Sequence, residues 1–299
     1  MIDCLVIVVA YKSARDLPGL IESIPPAMND LSWRAVVVDN YGEDDLRNRL
    51  SGYDHVTVID AGANLGYSGG LNHGMAHAES SRFVLFLNPD LVLEPAAASA
   101  LLSACVTAGV VAAVPLVLAE SGAPQPSLRR EPTVLRSAGE AVFGDRWPRR
   151  PHWLAEMIRD GDAYAVPTPV DWATGAALLV RSSTIELVGK WDHTRFFLYS
   201  EETDYSRRIR ESGGRILFTP SAVVRHRGAG SGSSNQLEAL LSVNKVRYFR
   251  KWHGPTATAA FFGVAVLHNL LRLGRPAARA SLTALLSPRA RRALPGSSR

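Results

Sequence analysis

Cysteine, lysine and long apolar runs are all scarce in this chain of 299 residues. The two cysteines, Cys4 and Cys105, lie far apart inside apolar stretches. That excludes a disulfide framework and makes a reducing compartment the expectation. No run of 18 or more apolar residues occurs, which argues against a transmembrane helix. The nearest approach, 257–273, is interrupted by His268, Asn269 and Arg272. No signal peptide is expected, because the apolar run Leu5–Ala10 follows Asp3, precedes Lys12 and is too short for one. Acidic residues are nearly missing from the tail. From 225 to 299 there are 13 basic residues and one acid, Glu238, a net charge of +12 within a chain total of +5. An acidic body carrying a basic tail suggests an anionic partner, such as lipid headgroups or nucleic acid. Lysine occurs only four times, so a codon bias toward arginine would explain the arginines, but not the loss of acids.

What is present fits a folded protein. Hydrophobic residues make up 46% and charged residues 20%, enough apolar matter for a packed core. With 24 glycines and 18 prolines the chain is not fibrous or of low complexity. The length suits one large α/β domain with an appendage, or two small domains.

The first half alternates strand and helix signals. Leu5–Ala10, Arg34–Asp39, His55–Asp60 and Phe83–Leu87 read as strands. Asp16–Ile24 (closed by Pro25-Pro26), Asp44–Leu50, Gly69–Glu79 and Pro95–Thr107 read as helices. This alternation predicts an α/β fold, a parallel sheet with helices on both faces and ligands at the carboxyl ends of the strands. Residues 119–169 break the rhythm and read as a long excursion. Beyond it, Ala176–Val180 and Arg215–Thr219 read as strands and Asp204–Ser212 as a helix. Gly228–Ser234 is a Gly/Ser loop, and Leu237–Trp252 and Thr258–Leu273 read as helices.

Five segments carry candidate chemistry. Asn88-Pro89-Asp90 ends an apolar strand, where a carboxylate can hold a hard divalent cation or simply turn the chain. The run Asn64-Leu65-Gly66-Tyr67-Ser68-Gly69-Gly70-Leu71-Asn72 opens a helix and offers backbone to an anion, or serves as a structural junction. Asp39 at a strand end can bond a base or ribose, or turn the chain. Glu201, Glu202 and Asp204 place three carboxylates within four residues, behind Phe196, Phe197 and Tyr199. Their repulsion in a cleft would raise a pKa toward that of a general base, although acids are also favoured in a first helical turn. His226 stands between Arg225 and Arg227, which discourage its protonation and suit metal ligation.

In order and spacing, the chain resembles the inverting family 2 glycosyltransferases of GT-A fold, especially the bacterial rhamnosyl- and galactofuranosyltransferases. The resemblance rests on VIVVAYKSARDLPGLIESI, VVVDN, NLGYSGGLNHG, FLNPDLVL, WATGAALLVRSS and FFLYSEETDYSRRIRESGGRILFTPSAVVRH, across roughly 3–234. It implies a GT-A domain over 1–234 and a basic, partly apolar helical extension over 235–299. It also implies donor contacts from Ala10, Tyr11, Asp39, Asn64, Gly66, Gly70, Asn72, Asn88, Trp172 and Gly175. Asp90 and His226 would hold Mg²⁺ or Mn²⁺, with Asn88 standing where the family motif has its first Asp. Glu202 falls on the position of the catalytic base, normally Asp, and Glu201 or Asp204 could share that role. The donor would be a dTDP- or UDP-sugar, such as dTDP-L-rhamnose or UDP-galactofuranose. The acceptor would be a saccharide, lipid-linked or small-molecule hydroxyl. The expected setting is cytoplasmic, with reversible contact between residues 245–292 and the inner face of an anionic membrane, in cell-wall or polysaccharide assembly. Two other classes fit less well. A nucleotidyltransferase would need a Gly-rich activation loop after Ala10, and a non-catalytic binding protein would not need the acidic cluster, Asp90 and His226 together.

Overall fold

The computed structural model describes residues 1–42, 45–77, 79–227 and 234–296. The first half alternates as its periodicity predicts: β1 (Ile2–Ala10), α1 (Leu17–Met28), β2 (Trp33–Asp39), α2 (Leu46–Arg49), β3 (Val56–Asp60), α3 (Gly66–Ala76) and β4 (Ser81–Leu87). A short β5 (Leu91–Leu93), α4 (Ala97–Ala104) and β6 (Val110–Ala119) follow. The excursion contains β7 (Leu128–Arg129), α5 (Val134–Val142) and β8 (Thr168–Val170). Then come β9 (Trp172–Ala173), β10 (Ala177–Arg181), α6 (Ser182–Val188), α7 (Glu201–Glu211) and the long β11 (Arg215–His226). The basic extension forms α8 (Asn235–Trp252), α9 (Pro255–Leu270), α10 (Pro276–Leu286) and α11 (Pro288–Arg292). The Gly/Ser loop expected at Gly228–Ser234 lies, but for Ser234, outside the described residues.

The main sheet runs in the order β3-β2-β1-β4-β10-β6-β11-β5, with β8 on β11. Strands β1 to β4 pair in parallel, as expected. The expectation of an all-parallel sheet fails at β10, which runs antiparallel to both β4 and β6. Ala177 opens β10 opposite Leu87, the last residue of β4, so the chain enters the sheet at its carboxyl edge and has to run back. The apolar runs are continuous because both faces are covered. Cys4, Val6 and Val8 point into a core shared with α1 and α4, while Leu5, Ile7 and Val9 face Leu71, Tyr205 and Ile209 from α3 and α7. Cys4 and Cys105 are free and buried, and burial pushes the Cys105 thiol up to about 11.

Helix α1 does not stop at Pro25-Pro26 but continues through them to Met28. Ile24, Ala27 and Met28 are fully buried, and Ile24 and Met28 contribute roughly 1.5–3 kcal/mol each, enough together to offset a proline's lost bond. Ser23 Oγ caps the Leu20 carbonyl and accepts from the Leu93 N–H, tying α1 to β5.

The extension is bound tightly to the body. Lys251 reaches Asp192 and Asp204, and the Tyr248 hydroxyl donates to Glu131 of the excursion. Glu131 also takes Arg207 of α7 at 3.0 Å, so α7, α8 and the excursion share one carboxylate. Among the described residues, no helix is long and apolar enough to cross a membrane.

Candidate active site

The pairing of β5 with the end of β11 decides the first part of the site. His226 is registered opposite Leu91, the residue after Asp90. This brings His226 Nε2 to 3.2 Å from Asp90 Oδ2. The Arg227 N–H donates to the Asp90 carbonyl at 3.2 Å, fixing the turn. Gln125 holds the histidine from behind, with Oε1 3.4 Å from Nδ1. Asn88 is anchored by its own N–H on the Ala176 carbonyl at 2.9 Å, at the same sheet edge. Among the described residues, no group of three or more His, Cys, Asp or Glu side chains gathers around one point. A buried carboxylate beside an imidazole is a donor set that fits Mg²⁺ or Mn²⁺, whose other positions suit diphosphate and water oxygens.

The second part begins where α7 begins. Tyr199 and Ser200 both adopt left-handed backbone, with φ of 70° and 69°. Such positions cost about 1–2 kcal/mol each and persist only when their surroundings enforce them. Asn244 of α8 is the enforcer: its Nδ2 donates to the Leu198 and Tyr199 carbonyls at 2.8 and 3.3 Å. The strained turn delivers Glu201 and Glu202 into a closed environment. Glu201 Oε2 and Glu202 Oε2 are buried without a hydrogen-bond partner. Burial, then the charge of Glu202, holds the Glu201 carboxyl well above the usual carboxylate range. Burial also raises Glu202, but Arg129, the Gly175 backbone and Lys245 oppose it. Both carboxyls are therefore raised, Glu201 with fewer opposing groups than Glu202.

Tyr67 connects the two parts. Burial, first of all, raises its hydroxyl, and the neighbouring Glu201, Glu202 and Asp90 add to the rise. The hydroxyl donates to the Gly175 carbonyl at 3.4 Å. A Cβ at Gly175 would stand 3.9 Å from the Glu202 carboxyl carbon, in ordinary contact, so Gly175 borders the carboxylate. Tyr67, Thr174, Gly175, Trp191 and Glu202 line a small cavity there.

Asp204 is placed apart from Glu201 and Glu202 in its partners. Its carboxylate is fully buried and already occupied by Lys251 Nζ at 2.7 Å, Trp252 Nε1 at 3.0 Å and Arg208 Nε at 3.1 Å. It bolts α7 to α8.

On the donor side, Ala10 ends β1 and Asp39 ends β2, side by side. Asp39 Oδ1 accepts from the Tyr41 and Gly42 N–H groups at 3.1 and 2.8 Å, so the turn-forming role is real. Tyr11 meets Tyr41 edge-on at 5.1 Å, and the Lys12 ammonium sits 4.9 Å from the Tyr41 ring. Asn40 is the residue that sequence reasoning missed. It is buried, donates to Asn64 Oδ1 at 3.1 Å and accepts from the Leu65 N–H at 2.8 Å, joining the β2 edge to the glycine-rich loop. Its place in VVVDN was the available signal.

Two glycines named for the donor pocket have packing explanations. Gly66 has φ of 72°, and a Cβ there would overlap the Phe197 carbonyl. A Cβ on Gly70 would stand 2.7 Å from Val9 Cγ1, so Gly70 lets α3 lie close on β1. Asn72 is tied to the Trp191 backbone, accepting at 3.0 Å and donating at 2.9 Å, with His193 Nδ1 3.3 Å from its Nδ2. Trp172 is buried in the β7–β9 pair, and its Nε1 donates to the Arg130 carbonyl at 3.0 Å.

Comparison with known proteins agrees with this architecture. A family model described as glycosyl transferase family 2 matches residues 5–181. The chain is 30% identical over 263 residues to an N-acetylglucosaminyl-diphospho-decaprenol L-rhamnosyltransferase of Mycobacterium tuberculosis, covering 83% of this chain and 84% of the relative. It is 32% identical over 218 residues to the low-salt glycan biosynthesis hexosyltransferase Agl10 of Haloferax volcanii, covering 72% of this chain and 64% of that protein. Among solved structures, GalNAc-T7 with UDP, GalNAc and Mn²⁺ superposes with a TM-score of 0.59 at 16% identity, over 84% of this chain and 48% of that one. This is a likeness of fold.

Proposed function

The chain belongs to glycosyl transferase family 2, and we propose that it transfers a deoxysugar, rhamnose first, from a dTDP donor to a hydroxyl of a lipid-linked saccharide with inversion. As a member of that family it is a hexosyltransferase. The observation that carries the reading is the meeting of Asp90 and His226 at 3.2 Å, with Tyr67 and Glu202 lining one small cavity at the same sheet edge. The choice of sugar and acceptor is supported by the name of the mycobacterial relative, which specifies L-rhamnose and a diphospho-lipid.

In this reading Asp90 and His226 would hold Mg²⁺ or Mn²⁺, with Asn88 offering a neutral oxygen or a hydrogen bond beside them. When bound, the cation neutralises charge on the departing nucleoside diphosphate. Glu202 takes the proton of the acceptor hydroxyl as that oxygen bonds to the anomeric carbon. The carbon–oxygen bond to the diphosphate breaks on the opposite face, so the configuration inverts. Glu201 stays protonated and spares the site a second negative charge. Tyr11, Asp39 and Asn64 border the nucleotide, and Trp172 and Gly175 border the sugar.

The extension supports contact with a membrane. Leu267, Leu270, Leu271 and Leu273 are exposed at the end of α9, beside Arg272 and Arg275. Apolar side chains ringed by arginine suit an anionic surface. Cosedimentation with anionic vesicles is expected, and its absence would remove this part of the reading.

The decisive test is donor consumption with Mg²⁺ or Mn²⁺ over a panel of dTDP- and UDP-sugars, then transfer to an N-acetylglucosaminyl-diphospho-prenol. Turnover of dTDP-L-rhamnose with an inverted product is expected. Exclusive use of a UDP-sugar would overturn the donor assignment, and no turnover of any nucleotide sugar would overturn the whole.

A further inference from the structure

The transfer chemistry above leaves most of the excursion without a task, yet the turn that follows α5 is held firmly. Arg150 is almost fully buried, ion-pairs with Glu140 of α5 and donates to the carbonyls of Gly144 at 2.7 Å, Leu154 at 2.8 Å and Trp147 at 3.0 Å. Arg159 adds contacts to Glu140 Oε2 at 3.1 Å and Asp145 Oδ1 at 3.0 Å. These bonds fix the turn with Trp147 outward. The indole meets Phe143 edge-on at 5.0 Å and is still 43% exposed. A large aromatic ring pinned at the surface by a buried arginine marks a contact, provided other apolar groups surround it.

They do, because the turn is joined to the end of α9. Arg272 stands between Leu271 and Leu273, and its Nη1 donates to the Ala141 carbonyl at 2.9 Å. A Cβ on Gly144 would stand 3.5 Å from its Nη2. The ends of α5 and α9 therefore lie side by side. Val142 and Trp147 from one, and Leu270, Leu271 and Leu273 from the other, expose apolar side chains at this corner. Its charge has one sign. Arg146, Arg149 and Arg275 are exposed around it, whereas the acids of the turn, Glu140 and Asp145, are taken by Arg150 and Arg159. Indole at headgroup depth, leucines below it and guanidinium groups on anionic headgroups match a lipid surface. A nucleic acid would offer the leucines no apolar layer, and a second copy meeting this corner about a twofold axis would set arginine against arginine.

We propose that the turn after α5, anchored by Trp147, docks on an anionic bilayer together with the end of α9, so that the excursion shares in holding the enzyme to the membrane. The proposal rests on the membrane contact read above for α9 and adds a second, separate element to it. Contact through two elements restricts the tilt of the enzyme on the bilayer, which contact through α9 alone would leave free. It also gives a reason for the buried Arg150–Glu140 pair: a mobile loop would lose conformational freedom on docking, and a turn already fixed loses little.

The test uses the full chain and vesicles of phosphatidylcholine and phosphatidylglycerol whose acyl chains carry bromine, which quenches an indole that enters the bilayer. The wild type should bind and its tryptophan emission should fall. Trp147→Phe should bind within a few-fold of the wild type but lose a large part of the quenching. Trp147→Ser and Arg149→Glu should each weaken binding about tenfold, one by removing apolar area and the other by reversing a charge. All three should melt with the wild type, since both side chains lie outside the core. Vesicles of phosphatidylcholine alone should bind at least about tenfold more weakly. Binding with quenching unchanged in Trp147→Phe, or with affinity unchanged in Trp147→Ser and Arg149→Glu, would overturn the proposal and leave the contact through α9 standing. Equal binding to neutral vesicles, or a dimer of the chain that Trp147→Ser dissociates, would also overturn it. No binding of the wild type to anionic vesicles would remove both this proposal and the membrane contact on which it rests.

Discussion

Nε2 of His226 lies 3.2 Å from Oδ2 of Asp90, although more than a hundred residues separate them. The contact exists because β5 pairs antiparallel with the end of β11, so removing either side chain should leave the sheet intact. Asp90→Ala is expected to weaken Mn²⁺ affinity in the presence of the nucleoside diphosphate by more than the roughly 10–100-fold typical of groups that merely support a ligand. His226→Ala should weaken it less, because it removes a neutral donor rather than a charge. Mn²⁺ titration of turnover, with calorimetry on the nucleotide complex, measures both. Unchanged Mn²⁺ dependence in Asp90→Ala would remove the pair from the reaction.

Glu202 and Asp204 share the first turn of α7 but should behave in opposite ways. Glu202→Gln is expected to lower kcat by about 10²–10⁴ while leaving the donor KM little changed, as for a group that acts in the transition state. Asp204→Asn breaks a buried network with Lys251, Trp252 and Arg208. Losing one partner of a buried ionic group costs about 3–5 kcal/mol, a fall in Tm on the order of 10 °C for a chain of this size. Turnover per folded molecule should be largely kept. A thermal melt and steady-state kinetics on the two variants separate the roles.

The contrast shows what the sequence could and could not reveal. Strand and helix order in the first half was legible because burial on both faces writes continuous apolar runs between turn signals. The reversal of β10 was not, since a strand's direction depends on the edge at which the chain enters the sheet. Asp204 lies two residues beyond Glu202, about 200° around the helix axis. That rotation was readable, but which face borders the site is set by α8, which lies outside the motif. Asn72 likewise sits in a glycine-rich run that looks made for a ligand, yet its partner is the Trp191 backbone, distant in sequence. Residues 119–169 were hard to read because their anchors are scattered: Glu131 and Glu140 on arginines, and Leu128 and Tyr164 singly in the core.

The acid pair also predicts a pH signature. Burial raises Glu202 above its ordinary value of 4.5, so the acidic limb of kcat/KM should lie above that pH. Lys245 opposes the rise, and Lys245→Ala should therefore move the limb to higher pH. Because Lys245 is exposed, added salt should move it the same way in the wild type. Stability follows Glu201. Its folded-state proton affinity is raised, so its stabilising contribution is complete below about 4.5, the unfolded value, and is lost as pH rises through the folded one. Glu201→Gln keeps the shape without titrating, so it should melt above the wild type at neutral pH and converge with it near the acid end. A melting series across pH decides this, and a Glu201→Gln curve parallel to the wild type at every pH would contradict the assignment.

Asn244 tests whether the extension takes part in presenting the base. It is fully buried and supplies Nδ2 to the carbonyls of Leu198 and Tyr199, directly before two residues with left-handed backbone. Removing the donor leaves buried carbonyls unpaired, at about 1–3 kcal/mol, and lets Tyr199 and Ser200 relax toward ordinary backbone. That relaxation would swing Glu202 away from the acceptor hydroxyl without touching β1, β2 or the Asp90–His226 pair. Asn244→Ala should therefore lower kcat by at least about tenfold, since small displacements of a reacting group cost that much or more. The donor KM and the Mn²⁺ dependence should stay near wild type, and Asn244→Gln should recover part of the loss if its amide still reaches the turn. A purely structural role would show instead as a lower Tm with kcat per folded molecule unchanged, and that result would detach α8 from the chemistry.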